Sequence, residues 1–142
     1  NLFPFNMTYI DTFNHILSFV TGLHQLNLIR EETMQSNSNT LTIEWAPFKT
    51  TTGVTDNQLL EAASKIESGF LKAQKGYIRR ELLKGEEDQW VDLVYWESQE
   101  AAATAAQAVN QSAICMEYFS LMAAPAEGES GISHFSQIKT WN

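Results

Sequence analysis

The sequence predicts an α+β domain with the element order strand–helix–strand–strand–helix–strand and a four-stranded antiparallel sheet. Three observations carry this. The stretch from Gly76 to Trp96 reads as a hairpin: residues 77–83 and 90–96 are rich in aromatic and branched side chains, and residues 84–89 are all polar or glycine. A helix signal stands on each side of it. Thr55-Asp-Asn-Gln58 is a capping box ahead of apolar residues at helical spacing, and Ser98 opens an alanine-rich run. Alternating or β-rich segments, Leu41 to Ala46 and Ile132 to Trp141, begin and end the region.

Length and composition set the frame for those elements. A chain of 142 residues with 44% hydrophobic and 11% aromatic residues buries a core without help from a metal or disulfide. The formal net charge of -8 repels phosphate backbones and offers no basic patch to an anionic membrane, so neither nucleic acid nor membrane is expected as a partner. No apolar run reaches the ~20 residues of a membrane-spanning helix. The first residue is Asn rather than Met, and the segment after it lacks a basic start and a small-residue cleavage site, so the start reads as a processed or truncated end and cytoplasm is the default compartment. The single cysteine, Cys115, excludes an intrachain disulfide and lies in an apolar helical run, which predicts a buried thiol.

In chain order, residues 1–39 read as an N-terminal helical extension and linker, and residues 40–142 as the main domain. Ile10, Phe13, Ile16, Leu17, Val20 and Leu23 fall at helical spacing behind Thr8, and the polar stretch from Met34 to Thr40 is turn-rich. His15 and His24, nine apart, do not share a helical face in the way two metal ligands would. Pro47, without an N–H, predicts the end of the first strand. The first helix of the domain carries Leu59, Leu60, Ala63, Ile66, Phe70 and Leu71 inward and stops at Gly76. The second runs through Ala101 to Val109, and a further turn from Ser112 carries Ile114, Cys115, Tyr118, Phe119 and Met122. An acidic connection, residues 123–131, leads to the last strand.

Side chains alternate faces along a strand, and this sorts the hairpin. A regular register sets Tyr77 opposite Trp96 and Glu81 opposite Asp92. One face then carries Tyr77, Arg79, Glu81, Trp90, Asp92, Val94 and Trp96. The other carries Ile78, Arg80, Leu82, Val91, Leu93 and Tyr95, is the more apolar, and is expected to receive the helices. The mixed face spends two tryptophans and a tyrosine, so it needs a cover: a second subunit, the N-terminal extension or a ligand. A covered Glu81–Asp92 pair, neutralised by Arg79, is the nearest approach to a chemical constellation.

The run Gly76-Tyr-Ile-Arg-Arg-Glu-Leu-Leu, then Val91-Asp-Leu-Val-Tyr-Trp-Glu-Ser98 leading into the alanine helix, resembles the dimeric α+β barrel superfamily, in its branch of antibiotic-biosynthesis-monooxygenase-like proteins. The resemblance spans about residues 40–142, and Trp96-Glu-Ser98 entering a helix is its most specific element. It implies ferredoxin-like subunits that pair their sheets into a barrel, with a ligand cleft between sheet and helices. Members include cofactor-independent monooxygenases, haem-degrading enzymes and dehydratases. Haem-degrading members place a Trp at the position of Trp96 and a histidine on the following helix; residues 101–111 here contain no histidine.

No phosphate loop, nucleophile elbow or zinc motif occurs, and no cofactor is called for. The expected function is therefore binding of a small aromatic molecule by a homodimer. The alternatives are a cofactor-independent monooxygenase acting on a polycyclic phenol and a structural interaction module without ligand. The expected binding residues are Trp96, Tyr95, Arg79, His134, Asp92 and Glu81. Trp96 offers a ring to stack on, Arg79 a charge for an acidic group, and His134 a candidate general base.

Overall fold

The computed structural model describes residues 40–129 and 131–142; the helix expected within residues 1–39, with His15 and His24, lies outside the described residues. The described chain runs β1 (Thr42–Lys49), α1 (Asp56–Gly69), a 3-10 turn (Leu71–Ala73), β2 (Tyr77–Lys84), β3 (Gln89–Trp96), α2 (Gln99–Val109), α3 (Ala113–Phe119) and β4 (Ser133–Ser136). The sheet order is β2-β3-β1-β4 with every pairing antiparallel, the ferredoxin-like arrangement.

The helix starts form as the sequence predicts. The Thr55 hydroxyl accepts from the Gln58 amide at 3.2 Å while the Thr55 amide donates to the Gln58 side chain at 2.9 Å, so two orphan donors of α1 are satisfied. The Ser98 hydroxyl accepts from the Ala101 amide at 3.1 Å and opens α2. Helix α1 buries Leu59, Ala62, Ala63 and Ile66, and α2 buries Ala102, Ala105 and Val109. With Phe48, Phe70, Trp90, Val94, Trp96, Cys115 and Tyr118 these form one core between the helices and one face of the sheet. The small alanines let α2 lie close to β1 and β3.

Several expectations are corrected. Leu60 points outward at 48% exposure, because α1 turns the Ala62 side inward instead. Gly76 does not end α1, whose last turn closes through the Phe70 amide bonded to Ile66. It is the pivot into β2: its φ is +82°, and a Cβ there would lie 2.5 Å from that of Ala101. Pro47 sits inside β1 rather than at its end. β4 pairs only with Thr42 to Trp45, so Pro47 lies beyond it, where that side of β1 is an edge and a missing N–H is tolerated. β4 itself is short: Ile138 and Trp141 lie past its end and are 87% and 79% exposed.

The largest correction is the register of the hairpin. Tyr77 does oppose Trp96, but a bulge between Tyr77 and Arg79 shifts all that follows, so Arg79 pairs with Tyr95, Glu81 with Leu93 and Leu82 with Asp92. One extra residue exchanges the faces of the strand beyond it. The expectation that the face with Val91, Leu93 and Tyr95 receives the helices is also reversed: Trp90, Asp92, Val94 and Trp96 of β3 face the helices, and the bulge adds Arg80, Leu82 and Lys84 of β2 to that side. Val91, Leu93 and Tyr95 share the open face with Arg79, Glu81 and Leu83.

Candidate functional site

A cavity of about 70 Å³, partly open to solvent, lies between the sheet and the helices. Most of its lining is apolar, including Phe48, Ile66, Val94 and Met122, but five side chains with polar groups converge on it: Glu44 from β1, Arg80 from β2, Asp92 and Trp96 from β3, and Tyr118 from α3. Arg80 Nε donates to Asp92 Oδ1 at 2.7 Å, and the Tyr118 hydroxyl donates to Asp92 Oδ2 at 2.7 Å. Arg80 Nη1 donates to the Ala63 carbonyl of α1 at 2.9 Å, and the guanidinium lies 5.1 Å from the centre of the Tyr118 ring. The Arg80 and Asp92 side chains are only 7% and 10% exposed.

The electrostatics follow from that burial. Burial works against the Arg80 charge, but the charge and hydrogen bond of Asp92 outweigh it and hold the guanidinium protonated more firmly than in water. Burial, then the negative charge of Asp92, push the Tyr118 phenol well above its ordinary range, so Tyr118 is a donor at any physiological pH. The Cys115 thiol, also on the cavity wall, is pushed up by burial and stays protonated, as its apolar setting in the sequence predicts. The set is thus one cation and one anion in direct contact, with a neutral phenol on the other oxygen of the anion.

Two donors in this cluster are left over. Arg80 Nη2 and the Trp96 indole nitrogen are both buried and have no hydrogen-bond partner. A buried donor left unmade costs about 1–3 kcal/mol, so two of them on one cavity wall call for an explanation. The Trp96 ring is held in place by an edge contact with Tyr77, centroids 5.7 Å apart, and the Tyr77 hydroxyl is tied to Glu67 of α1 at 2.7 and 2.8 Å.

The six residues read from the sequence as a binding set divide between the two faces. Trp96 and Asp92 line the cavity. His134 lies on the same side at the sheet edge; its Nε2 is 3.0 Å from Glu44 Oε2, and Glu44 lines the cavity. Arg79, Glu81 and Tyr95 form a separate cluster on the open face. The Arg79 guanidinium stacks 3.7 Å from the centre of the Tyr95 ring and pairs with Glu81, whose other oxygen accepts from the Tyr95 hydroxyl at 3.1 Å. The expected Glu81–Asp92 pair does not form, because the bulge puts the two carboxylates on opposite faces. Arg80, not Arg79, is the arginine paired with Asp92 at the cavity, and Tyr118 and Glu44 were not anticipated. Arg80 did carry a signal: it was the one charged residue on a face otherwise assigned as apolar.

Among the described residues no group of His, Cys, Asp and Glu is arranged to hold a metal ion, and no helix is long and apolar enough to cross a membrane. No family model and no curated protein matches the sequence. Solved structures do match. SnoaB, a cofactor-independent oxygenase from Streptomyces nogalater, superposes with a TM-score of 0.52 at 14% identity, covering 74% of this chain and 97% of that one. A protein from Bordetella bronchiseptica described as a putative antibiotic biosynthesis monooxygenase gives 0.51 at 16% identity over 72% and 99% of the two chains. The NE2512 protein of Nitrosomonas europaea, of unknown function, gives 0.51 at 11% identity over 73% and 95%. At these identities the likeness is one of fold. The ferredoxin-like architecture of antibiotic-biosynthesis-monooxygenase-like proteins, read from the hairpin and the alanine helix, is borne out.

Proposed function

We propose that this protein is a cytoplasmic homodimeric α+β barrel that binds a small aromatic molecule in the cavity between sheet and helices. The observation that carries the binding reading is the Trp96 indole N–H, buried and without a partner on a residue that lines the cavity and is 2% exposed. A core tryptophan that only closes the end of a sheet has no reason to leave its N–H unmade; one that meets a ligand does. At about 70 Å³ the cavity takes the head of a ligand rather than fused rings, since a dry cavity of roughly 150 Å³ is what benzene occupies. A cavity of any size also weighs against a purely structural module.

The dimer reading rests on the open face of the sheet. Trp45 and Leu83 are 40% and 42% exposed there and Phe135 is 57% exposed, beside Val91 and Leu93. Burying such a face against a second copy follows from the same physics that covers the other face with helices.

A cofactor-independent oxygenase is the second reading, favoured by the oxygenase among the fold neighbours. The reaction balances as a phenol plus O2 giving a quinone and water, and it needs a group to take the phenol proton. Asp92 is the carboxylate at hand, but both its oxygens already accept hydrogen bonds, which favours binding over catalysis. Native mass spectrometry of the purified protein tests the main reading. The expected result is a species at twice 16.0 kDa with a bound small molecule or one that takes up added acetophenone. Oxygen uptake with 1-naphthol, lost in Trp96→Phe, would move the conclusion to the second reading.

A further inference from the structure

We infer that the cavity selects a neutral oxygen acceptor, a ketone, aldehyde or quinone carbonyl, over a carboxylate or other anion, with Arg80 Nη2 and the Trp96 indole N–H as its two donors. This rests on the ligand-binding reading above and adds the chemistry of the ligand. The polar inventory of the cavity leads to it. Asp92 has one oxygen on Arg80 and the other on Tyr118. The Tyr118 proton is committed to Asp92, and Arg80 Nε and Nη1 are committed to Asp92 and to the Ala63 carbonyl. What remains unspent is two donor nitrogens, Arg80 Nη2 and Trp96 Nε1, both buried, on residues that line the same cavity. A ligand matched to them brings lone pairs and no proton of its own, which describes a carbonyl and not a hydroxyl.

Charge decides between a carbonyl and a carboxylate. The Arg80 charge is already balanced by Asp92 at 2.7 Å, so an entering anion would meet Asp92 as well as Arg80 inside a poorly polarisable space. Glu44 adds a second carboxylate to the wall. His134 stands against Glu44, and Cys115 stays protonated, so neither supplies a positive charge reserved for the ligand. Both donors are fixed beforehand, Trp96 by its contact with Tyr77 and Arg80 by its two existing bonds, so the ligand does not have to order them.

The test uses three probes of similar size: acetophenone, benzoate and ethylbenzene, titrated into the 15N-labelled full chain and followed by NMR. The Trp96 indole signal is assigned by its loss in Trp96→Phe. Acetophenone is expected to move that signal downfield and to bind about tenfold more tightly than ethylbenzene, with benzoate weakest. Arg80→Lys keeps a cation for Asp92 and removes the spare donor. It is expected to narrow the preference for acetophenone over ethylbenzene several-fold, with the Trp96 donor still in place. Should Arg80→Lys fail to fold, Trp96→Phe and the wild-type ranking decide. Benzoate binding as well as acetophenone, or acetophenone binding no better than ethylbenzene, overturns this inference and leaves the ligand-binding reading intact. If none of the three perturbs a cavity residue, both fall.

Discussion

Arg79 and Arg80 are neighbours in the sequence and belong to different worlds in the fold. Arg79 stacks on Tyr95 on the open face, 52% exposed, paired with Glu81 at 40%. Arg80 is 7% exposed and is locked to Asp92 and α1 beneath the helices. Both make an ion pair across or along the same hairpin, yet the surroundings set different consequences. On the open face water screens the pair, and either partner can be lost at small cost. Under the helices the charges have given up their hydration, and each depends on the other being there. The difference teaches where to look for function. Charged groups on the open face keep their water, whereas the buried charge pair keeps donors to spare beside a cavity.

The comparison is broken most severely at Asp92. Asp92→Leu strands the buried Arg80 guanidinium and the Tyr118 hydroxyl together, and a loss of about 3–5 kcal/mol in unfolding free energy is expected. Urea denaturation followed by tryptophan fluorescence measures it; a loss within experimental error would show that the cluster is open to water.

Tyr118→Phe removes one of the two bonds to Asp92 and is expected to cost about 1–3 kcal/mol at neutral pH. It also has a pH signature. The Tyr118 pKa is raised in the folded protein, so the folded state keeps a proton that the unfolded chain releases above about pH 10. The folded state then binds more protons, and stability falls as pH rises past that point. The variant should show a shallower alkaline decline, although Tyr77, whose pKa burial also raises, leaves part of the slope in place. Equal slopes would remove Tyr118 from the account.

On the other face, Trp45→Asp should leave the subunit folded, with circular dichroism unchanged, and shift the mass seen by light scattering from the dimer toward 16.0 kDa. The contrast is Trp90→Asp, which is 6% exposed and lies in the core under the helices; it should unfold the subunit instead of dissociating it. Reversed outcomes would exchange the roles assigned to the two faces. Glu81→Gln gives the smallest effect. It removes the charge paired with Arg79 in a screened setting, so the urea midpoint should not move measurably.

What could be read from residues alone is what is local. Helix starts at Thr55 and Ser98 follow from side chains that bond amides three positions on, and the hairpin follows from two β-rich runs around a polar turn; neither needs a distant partner. The order of those elements then admits few folds, which is why the ferredoxin-like sheet was legible. Which side of the sheet each hairpin residue occupies was not. It depends on a single bulge beside Gly76, and that glycine is placed where a Cβ would strike Ala101 of α2, a residue 25 positions away. A two-residue period carries one inserted residue through the rest of the strand, so a contact made by packing decided that Arg80, not Arg79, would reach the cavity. Tyr118 could be placed on a short helix by its spacing, but its bond to Asp92 spans 26 positions and exists only once α3 is laid over the sheet. Local preferences fixed the elements; the close approach of α2 and α3 to the sheet fixed which side chains line the cavity, because burial is what ties Arg80 to Asp92 and leaves the Trp96 N–H unmade.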